Sequence, residues 1–81
     1  MVRVLLFGRL RDVAGWRERS WEDLPASLSA LRTQLSALDP ALGEALQGRG
    51  VQVCIDKVIV RGDLALTSGM EIAFLPPMSG G

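Results

Sequence analysis

The sequence predicts a single α+β domain, in which one main helix packs on one face of a small mixed sheet of about five strands. Three observations lead to this prediction. The chain has 81 residues, which is enough for one domain. Short apolar runs at residues 2–7 and 71–75 have the length of strands. Between them, leucines recur at spacings of three, four and three over residues 28–38, which places them on one helical face.

The first part of the chain predicts two strands joined by a polar segment. Residues 2–7 are apolar and bounded by Gly8, so they indicate a buried strand. Residues 9–15 are polar and end in glycine, which favours a loop or one helical turn. Residues 16–22 mix aromatic and charged side chains without a helical stripe. We expect a second strand there, at an edge of the sheet where its charges face water.

The main helix is predicted over residues 27–38. Pro25 and Ser27 are typical start signals. Asp39-Pro40 is a stop, because proline disfavours helix in the residue before it. Residues 41–46 favour a short second helix, and the glycines on either side of Arg49 end it.

Three further strands complete the predicted sheet. Residues 51–55 and 58–61 flank a tight turn at Asp56-Lys57, and turn signals follow at Gly62-Asp63 and at 67–69. The last strand spans 71–75. One helix must then cover one face of the sheet. We expect the domain to occupy residues 1–75 and a flexible tail to occupy 76–81.

The other face of the sheet is predicted to be apolar as well. Side chains alternate across a strand, so Leu5 and Phe7 oppose the valines of the first strand, and Leu75 opposes Phe74 in the last. A patch that contains Phe7 and Leu75 is large for a monomer. We therefore expect a partner on that face, with cover by the protein's own loops as the alternative.

Composition and charge narrow the function classes. Nine basic residues balance nine acidic ones, whereas a protein that binds duplex nucleic acid is normally basic. Five arginines within residues 1–20 indicate a solvated surface or, alternatively, a docking edge for an acidic partner. The sequence contains no signal-peptide pattern and no membrane span, so we expect a cytoplasmic protein that binds neither nucleic acid nor membrane.

Side chains that carry catalysis are scarce. The chain has no histidine, no tyrosine and one cysteine. Without histidine, a nucleophilic triad lacks its usual base, and a metal site lacks its commonest nitrogen ligand. Cys54 lies in an apolar strand, and we interpret it as an inert core thiol that has no disulfide partner. We expect no side-chain catalysis and no cofactor or metal bound by this chain.

The C-terminus is the most informative segment. It reads Pro76-Pro77-Met78-Ser79-Gly80-Gly81. The prolines cannot continue a sheet ladder, and the glycines have no side chains, so the segment is a thin thread that reaches at most about 20 Å. Such a thread can carry its terminal carboxyl into a narrow site on another protein. The alternative is a frayed terminus; a terminal Gly-Gly arises by chance in about one chain in 200.

The segment from Phe74 to Gly81, preceded by Gly69 to Ile72, resembles the end of the small subunit of molybdopterin synthase. The first strand, residues 11–15 and the leucine helix are similar to that family too, so the resemblance covers the whole chain. It implies a ubiquitin-like β-grasp fold and a sulfur carrier of molybdenum cofactor biosynthesis. Two departures, Asp56 for a common asparagine and Met70 for a common acidic residue, leave partner specificity open.

The resemblance also implies a chemical cycle on the carboxyl of Gly81, which follows Gly80. An activating enzyme related to ubiquitin-activating enzymes would use ATP to form an acyl-adenylate. Sulfur from a persulfide donor would displace AMP and leave a thiocarboxylate. The large synthase subunit, in a heterotetramer, would pass this sulfur to cyclic pyranopterin monophosphate. Catalytic side chains would belong to the partners, so this chain alone would not be an enzyme.

In that family the sheet face opposite the helix docks the partners. The matching positions here are Phe7, Ile59 and Leu75. The segment that enters the partner would add Phe74, Pro76, Pro77 and Met78. Three alternatives remain open: a sulfur carrier for thiamine or cysteine synthesis, a ubiquitin-like modifier that joins its terminal glycine to lysines, and a plain interaction domain.

Overall fold

A computed structural model of the protein describes residues 1–77. Five strands and three helices follow one another in the order β1 (Val2–Leu6), α1 (Arg9–Ala14), β2 (Glu18–Trp21), α2 (Leu28–Leu38), α3 (Pro40–Leu46), β3 (Gln52–Ile55), β4 (Val58–Val60) and β5 (Glu71–Leu75). Every predicted strand is present, within two residues of its predicted bounds.

The five strands form one mixed sheet in the order β2-β1-β5-β3-β4. The central strands β1 and β5 pair in parallel, and the other neighbours pair antiparallel. The first and last strands therefore pair in the middle of the sheet, and β2 lies at an edge as predicted. The α+β architecture with a five-stranded mixed sheet is confirmed.

The core lies between the sheet and α2. Three of the four predicted stripe leucines are buried, and Leu38, the last residue of the helix, is 57% exposed and does not join them. The sheet contributes alternate residues of its inner strands, namely Val2, Val4, Leu6, Val53, Ile55, Ile72 and Phe74. No polar or charged side chain is buried among residues 1–77.

Side-chain caps fix the first turns of α2 and α3. The Ser27 hydroxyl accepts a hydrogen bond from the Ala30 amide (3.1 Å), and the Asp39 carboxylate accepts one from the Leu42 amide (3.2 Å). These bonds satisfy amides that the first turn of a helix leaves unpaired. Pro40 then stands at the start of α3, where its missing N–H is harmless.

Residues 9–14 form a full helix rather than the predicted loop or single turn. This short helix, α1, buries Leu10 to 2% exposure, and Gly15 ends it in the left-handed conformation (φ 81°). Tertiary packing of one leucine therefore stabilises a helix that is too short to form alone.

The longest helix of residues 1–77 has 11 residues, and none of their helices is long and apolar enough to cross a bilayer.

Candidate functional site: the open face and the tail base

The sheet face away from α2, here called the open face, carries a continuous apolar row. Strand register aligns Leu5 with Ala73, Ala73 with Cys54, and Cys54 with Ile59. These four residues come from β1, β5, β3 and β4, so the row crosses four strands. Ile59 is 54% exposed although it is a large aliphatic side chain. Leu5 and Cys54 are half-buried and Ala73 is buried, so Ile59 contributes most of the apolar surface that a partner can remove from water.

A second row lies next to the first, towards the end of the sheet where β5 ends. Register pairs Leu75 with Gln52, and the Phe7 amide donates to the Phe74 carbonyl (3.2 Å), which brings Phe7 alongside Leu75. Phe7 is 41% exposed and Leu75 half-buried. The structure thus brings together Phe7, Ile59 and Leu75 on one face; their contact with a partner stays a prediction.

Charged groups bound the open face at its opposite end. Arg3 Nε lies 3.0 Å from Glu18 Oε2, and Arg3 Nη2 lies 3.6 Å from Glu71 Oε2. Asp56 accepts a hydrogen bond from the Glu71 amide (3.0 Å) at the same end. Exposed ion pairs of this kind contribute at most about 1 kcal/mol. They make one end of the face polar, and the apolar end is the one from which the tail leaves.

The tail begins between two glycines. A Cβ on Gly8 would lie 2.8 Å from Pro76 Cγ, and a Cβ on Gly50 would lie 2.8 Å from Pro77 Cβ. Both glycines have positive φ, +57° and +86°. Only glycine allows this backbone and this close approach together. The β1–α1 and α3–β3 loops therefore hold Pro76 and Pro77 from two sides. Met78, Gly80 and Gly81 lie outside the described residues, and the flexibility of the tail stays a prediction.

Phe74 does not lie where its predicted role requires. Its side chain is 0% exposed, and the Arg32 guanidinium stands 5.4 Å from the centre of its ring. Because side chains alternate along β5, the residue between Ala73 and Leu75 must point towards the helices. The prediction that the Phe74 side chain binds a partner is therefore wrong for this conformation, in which it belongs to the core.

Cys54 and the N-terminal arginines also differ from expectation. Cys54 is half-buried on the open face rather than in the core. Arg3 lies on the open face, whereas Arg19 lies on the opposite face with its guanidinium 5.5 Å from the ring centres of both Trp16 and Trp21. The arginines of residues 1–20 are therefore spread over two faces and do not form one docking edge.

Sequence reasoning missed a second group of arginines near the tail base. A groove of about 760 Å³ lies against the tail prolines and is lined by Arg9, Glu44 and Arg49. A smaller groove of about 360 Å³ is lined by Arg32 and Arg61. These arginines come from α1, α2 and two separate loops, so no local sequence pattern predicts that they lie close together. The one available signal was Arg49, which stands between two glycines.

The chain is similar to known proteins over its full length. Residues 4–81 match the ThiS family. The chain is 32% identical to the molybdopterin synthase sulfur carrier subunit of Escherichia coli, and the match covers 100% of both chains. The archaeal modifier protein SAMP1 of Haloferax volcanii superposes with a TM-score of 0.82 at 28% identity, over 99% of this chain and 98% of that one.

A third match concerns the fold alone. A chain from the complex of subunits 1 and 2 of the Helicobacter pylori molybdopterin-converting factor superposes with a TM-score of 0.72 at 22% identity, covering 99% of this chain and 97% of that chain. The neighbours confirm the ubiquitin-like β-grasp fold that the resemblance implied. The family match spans nearly the whole sequence and includes the terminal glycines. The chain therefore belongs to the ThiS family.

Proposed function

We propose that the protein is a sulfur carrier of molybdenum cofactor biosynthesis, and that its reacting group is the terminal carboxyl of Gly81. One observation carries this proposal. The relative named a molybdopterin synthase sulfur carrier subunit aligns with the complete chain at 32% identity, with no unmatched end on either protein. The Gly80-Gly81 terminus is part of that match, since the family match also ends at residue 81.

The proposed cycle needs two changes at one carbonyl carbon. A carboxylate is a poor electrophile, so an adenylating enzyme first joins the Gly81 carboxylate to the AMP portion of ATP and releases pyrophosphate. The outer sulfur of a persulfide then attacks the carbonyl carbon and AMP leaves, which gives an acyl disulfide. A thiol attacks the donor's sulfur in this disulfide, so that the donor leaves as a disulfide with that thiol and the thiocarboxylate is released. ATP is used by the activating partner, and this chain binds no cofactor of its own. The thiocarboxylate sulfur is then the atom that is donated to cyclic pyranopterin monophosphate.

The partners proposed here are the large synthase subunit and the adenylating enzyme, all in the cytoplasm. The Escherichia coli relative is named a subunit, so a second chain completes its synthase. The open face supports docking, because it carries two exposed hydrophobic side chains, Phe7 beside the end of β5 and Ile59 on β4. The close approach of Gly8 to Pro76 and of Gly50 to Pro77 supports a defined place at which the tail leaves the domain.

A protein modifier is the second candidate function. The superposition on SAMP1 at 28% identity favours it, since that protein is a small archaeal modifier. Both functions begin with adenylation of the terminal carboxyl, and they differ in the acceptor. A modifier forms an amide with lysines of other proteins. Covalent conjugates of this chain that form in cells, and that are lost when Gly81 is removed, would therefore favour that function.

The intact mass of the chain tests the proposal. After incubation with the adenylating enzyme, ATP, a persulfide donor and a thiol reductant, replacement of one oxygen by sulfur is expected. Oxidation of one of the three methionines adds nearly the same mass, so the product is identified by alkylation in a Cys54→Ala chain, where no other thiol remains. A chain without Gly81 is the matched control. Absence of an alkylated product in the Cys54→Ala chain would contradict the proposal.

A further inference from the structure

We infer that four arginines around the tail base, Arg9, Arg32, Arg49 and Arg61, form a docking surface for acidic side chains on the large synthase subunit. These four residues are called the arginine collar. The inference rests on the proposed function, because it assigns the surface to the protein that receives the tail. It adds an electrostatic contact to the apolar contact of the open face.

The two grooves that hold these arginines form one continuous region. Val51 lines both grooves. Gly50 lines the smaller groove and also touches Pro77, which lines the larger one. The tail therefore leaves the domain with Arg9 and Arg49 on one side of Pro77, and Arg32 and Arg61 on the other.

The collar is strongly unbalanced in charge. Glu44 is the one carboxylate that lines either groove, against four guanidinium groups. Within residues 1–77, the ion pairs join Arg3 and Arg11 to carboxylates and include no collar arginine. Arg32 is held in place, since it donates to the Leu46 carbonyl (3.3 Å) and stacks on Phe74. The chain has no net charge, so this local excess is compensated elsewhere on its surface.

Position identifies the partner that covers the collar. The smaller groove shares Ile59 and Gln52 with the open face, so a protein docked over the apolar end of that face reaches Arg61 as well. A protein that receives the tail must also surround Pro77, and with it Arg49. Acidic side chains around the entrance of its tail-binding site would attract the collar and so bring the base of the tail to that entrance, because unpaired charges of one sign raise association rates with a complementary surface.

Association kinetics with the large subunit test the collar. We would compare Arg49→Glu and Arg61→Glu with Lys57→Glu, which changes the net charge equally. Lys57 lies in the β3–β4 turn, at the opposite end of the sheet from the tail. At low salt each collar variant is expected to associate about tenfold more slowly than the unmodified chain. Lys57→Glu should associate at nearly the unmodified rate. The difference should shrink at high salt, because screening acts over about 8 Å at physiological ionic strength and over less in stronger salt.

Two results of these kinetic measurements would overturn the inference. Equal slowing by Lys57→Glu would show that net charge, and not the collar, sets the rate. Unchanged or faster association of the collar variants would show that the receiving surface is not acidic. These results leave the proposed function standing, because thiocarboxylate formation at Gly81 is measured separately. Absence of any association by the unmodified chain would instead remove both the proposed partner and the collar's role.

Discussion

The substitution Ile59→Asp tests whether the open face docks the large subunit. Ile59 is 54% exposed, so about half of its side chain remains to be buried by a partner. Full burial of an isoleucine is worth about 1.5 to 3 kcal/mol, so removing this side chain forfeits about 1 kcal/mol of binding. The new carboxylate must also leave water without a partner, which costs about 1 to 3 kcal/mol more. The dissociation constant should therefore rise by roughly 30- to 700-fold.

The neighbouring residue provides a matched control. Val58 lies on the same strand and is 64% exposed, but it pairs with Ile55, whose side chain faces the core side of the sheet. Val58→Asp therefore adds the same charge to the same edge strand and points away from the open face. Both substitutions lower strand propensity by at most about 1 kcal/mol. Circular dichroism should show equal folded content for both variants.

Isothermal titration of the large subunit with each variant provides the measurement. The expected result is a large loss for Ile59→Asp and little change for Val58→Asp. Equal weakening by both variants would mean that β4 binds through its exposed edge and not through the open face. Unchanged binding of Ile59→Asp would refute the assignment of the apolar row to docking.

Three further predictions concern stability, measured by urea unfolding. Gly50→Ala should lower the free energy of unfolding more than Gly62→Ala does. Both glycines have positive φ, which costs an alanine about 1 kcal/mol, but only the Cβ at position 50 meets the tail. Equal losses of stability would show that the tail proline does not press on Gly50. Leu35 is 0% exposed, so Leu35→Ala should lower the free energy of unfolding by about 2 to 5 kcal/mol. Leu38 is 57% exposed, so Leu38→Ala should lower it by less than about 1 kcal/mol. Similar losses for the two variants would contradict the orientation of α2. Lys57→Gly should raise the free energy of unfolding by about 0.5 kcal/mol, because Lys57 has φ +71°, which glycine adopts without strain. A lower free energy of unfolding would contradict strain in this turn.

Local patterns predicted most of the elements, and long-range pairing was beyond them. The leucine spacing identified α2, and Ser27 does cap it. The sequence gives no such signal for the parallel pairing of β1 with β5, whose partners, such as Val4 and Ile72, are far apart along the chain. For α1 the prediction stayed open between a loop and one helical turn, because formation of this helix depends on burial of Leu10 in a core that the sequence does not display.

The two lines of sequence reasoning about Phe74 gave different answers, and strand alternation was the correct one. Alternation grouped Phe74 with Ile72 and opposed both to Leu75, which is the arrangement observed. The family motif instead grouped Phe74 with Leu75 because the two are adjacent in the tail pattern. A motif records which residues recur together, whereas a strand sends neighbours to opposite faces. For site assignment within a strand, the alternation is therefore the stronger evidence.

Strand β5 links the stability of the domain to the presentation of its tail. Ile72 and Phe74 are fully buried, and the side chains of Ala73 and Leu75 between and after them face the open side. A shift of one residue in register would exchange the two sets, so burial of Ile72 and Phe74 also fixes which residues a partner meets. The same register places Pro76 beside Gly8 and Pro77 beside Gly50. The core therefore determines where the tail leaves the domain, although no core residue needs to touch a partner, and surface substitutions such as Ile59→Asp can separate binding from folding.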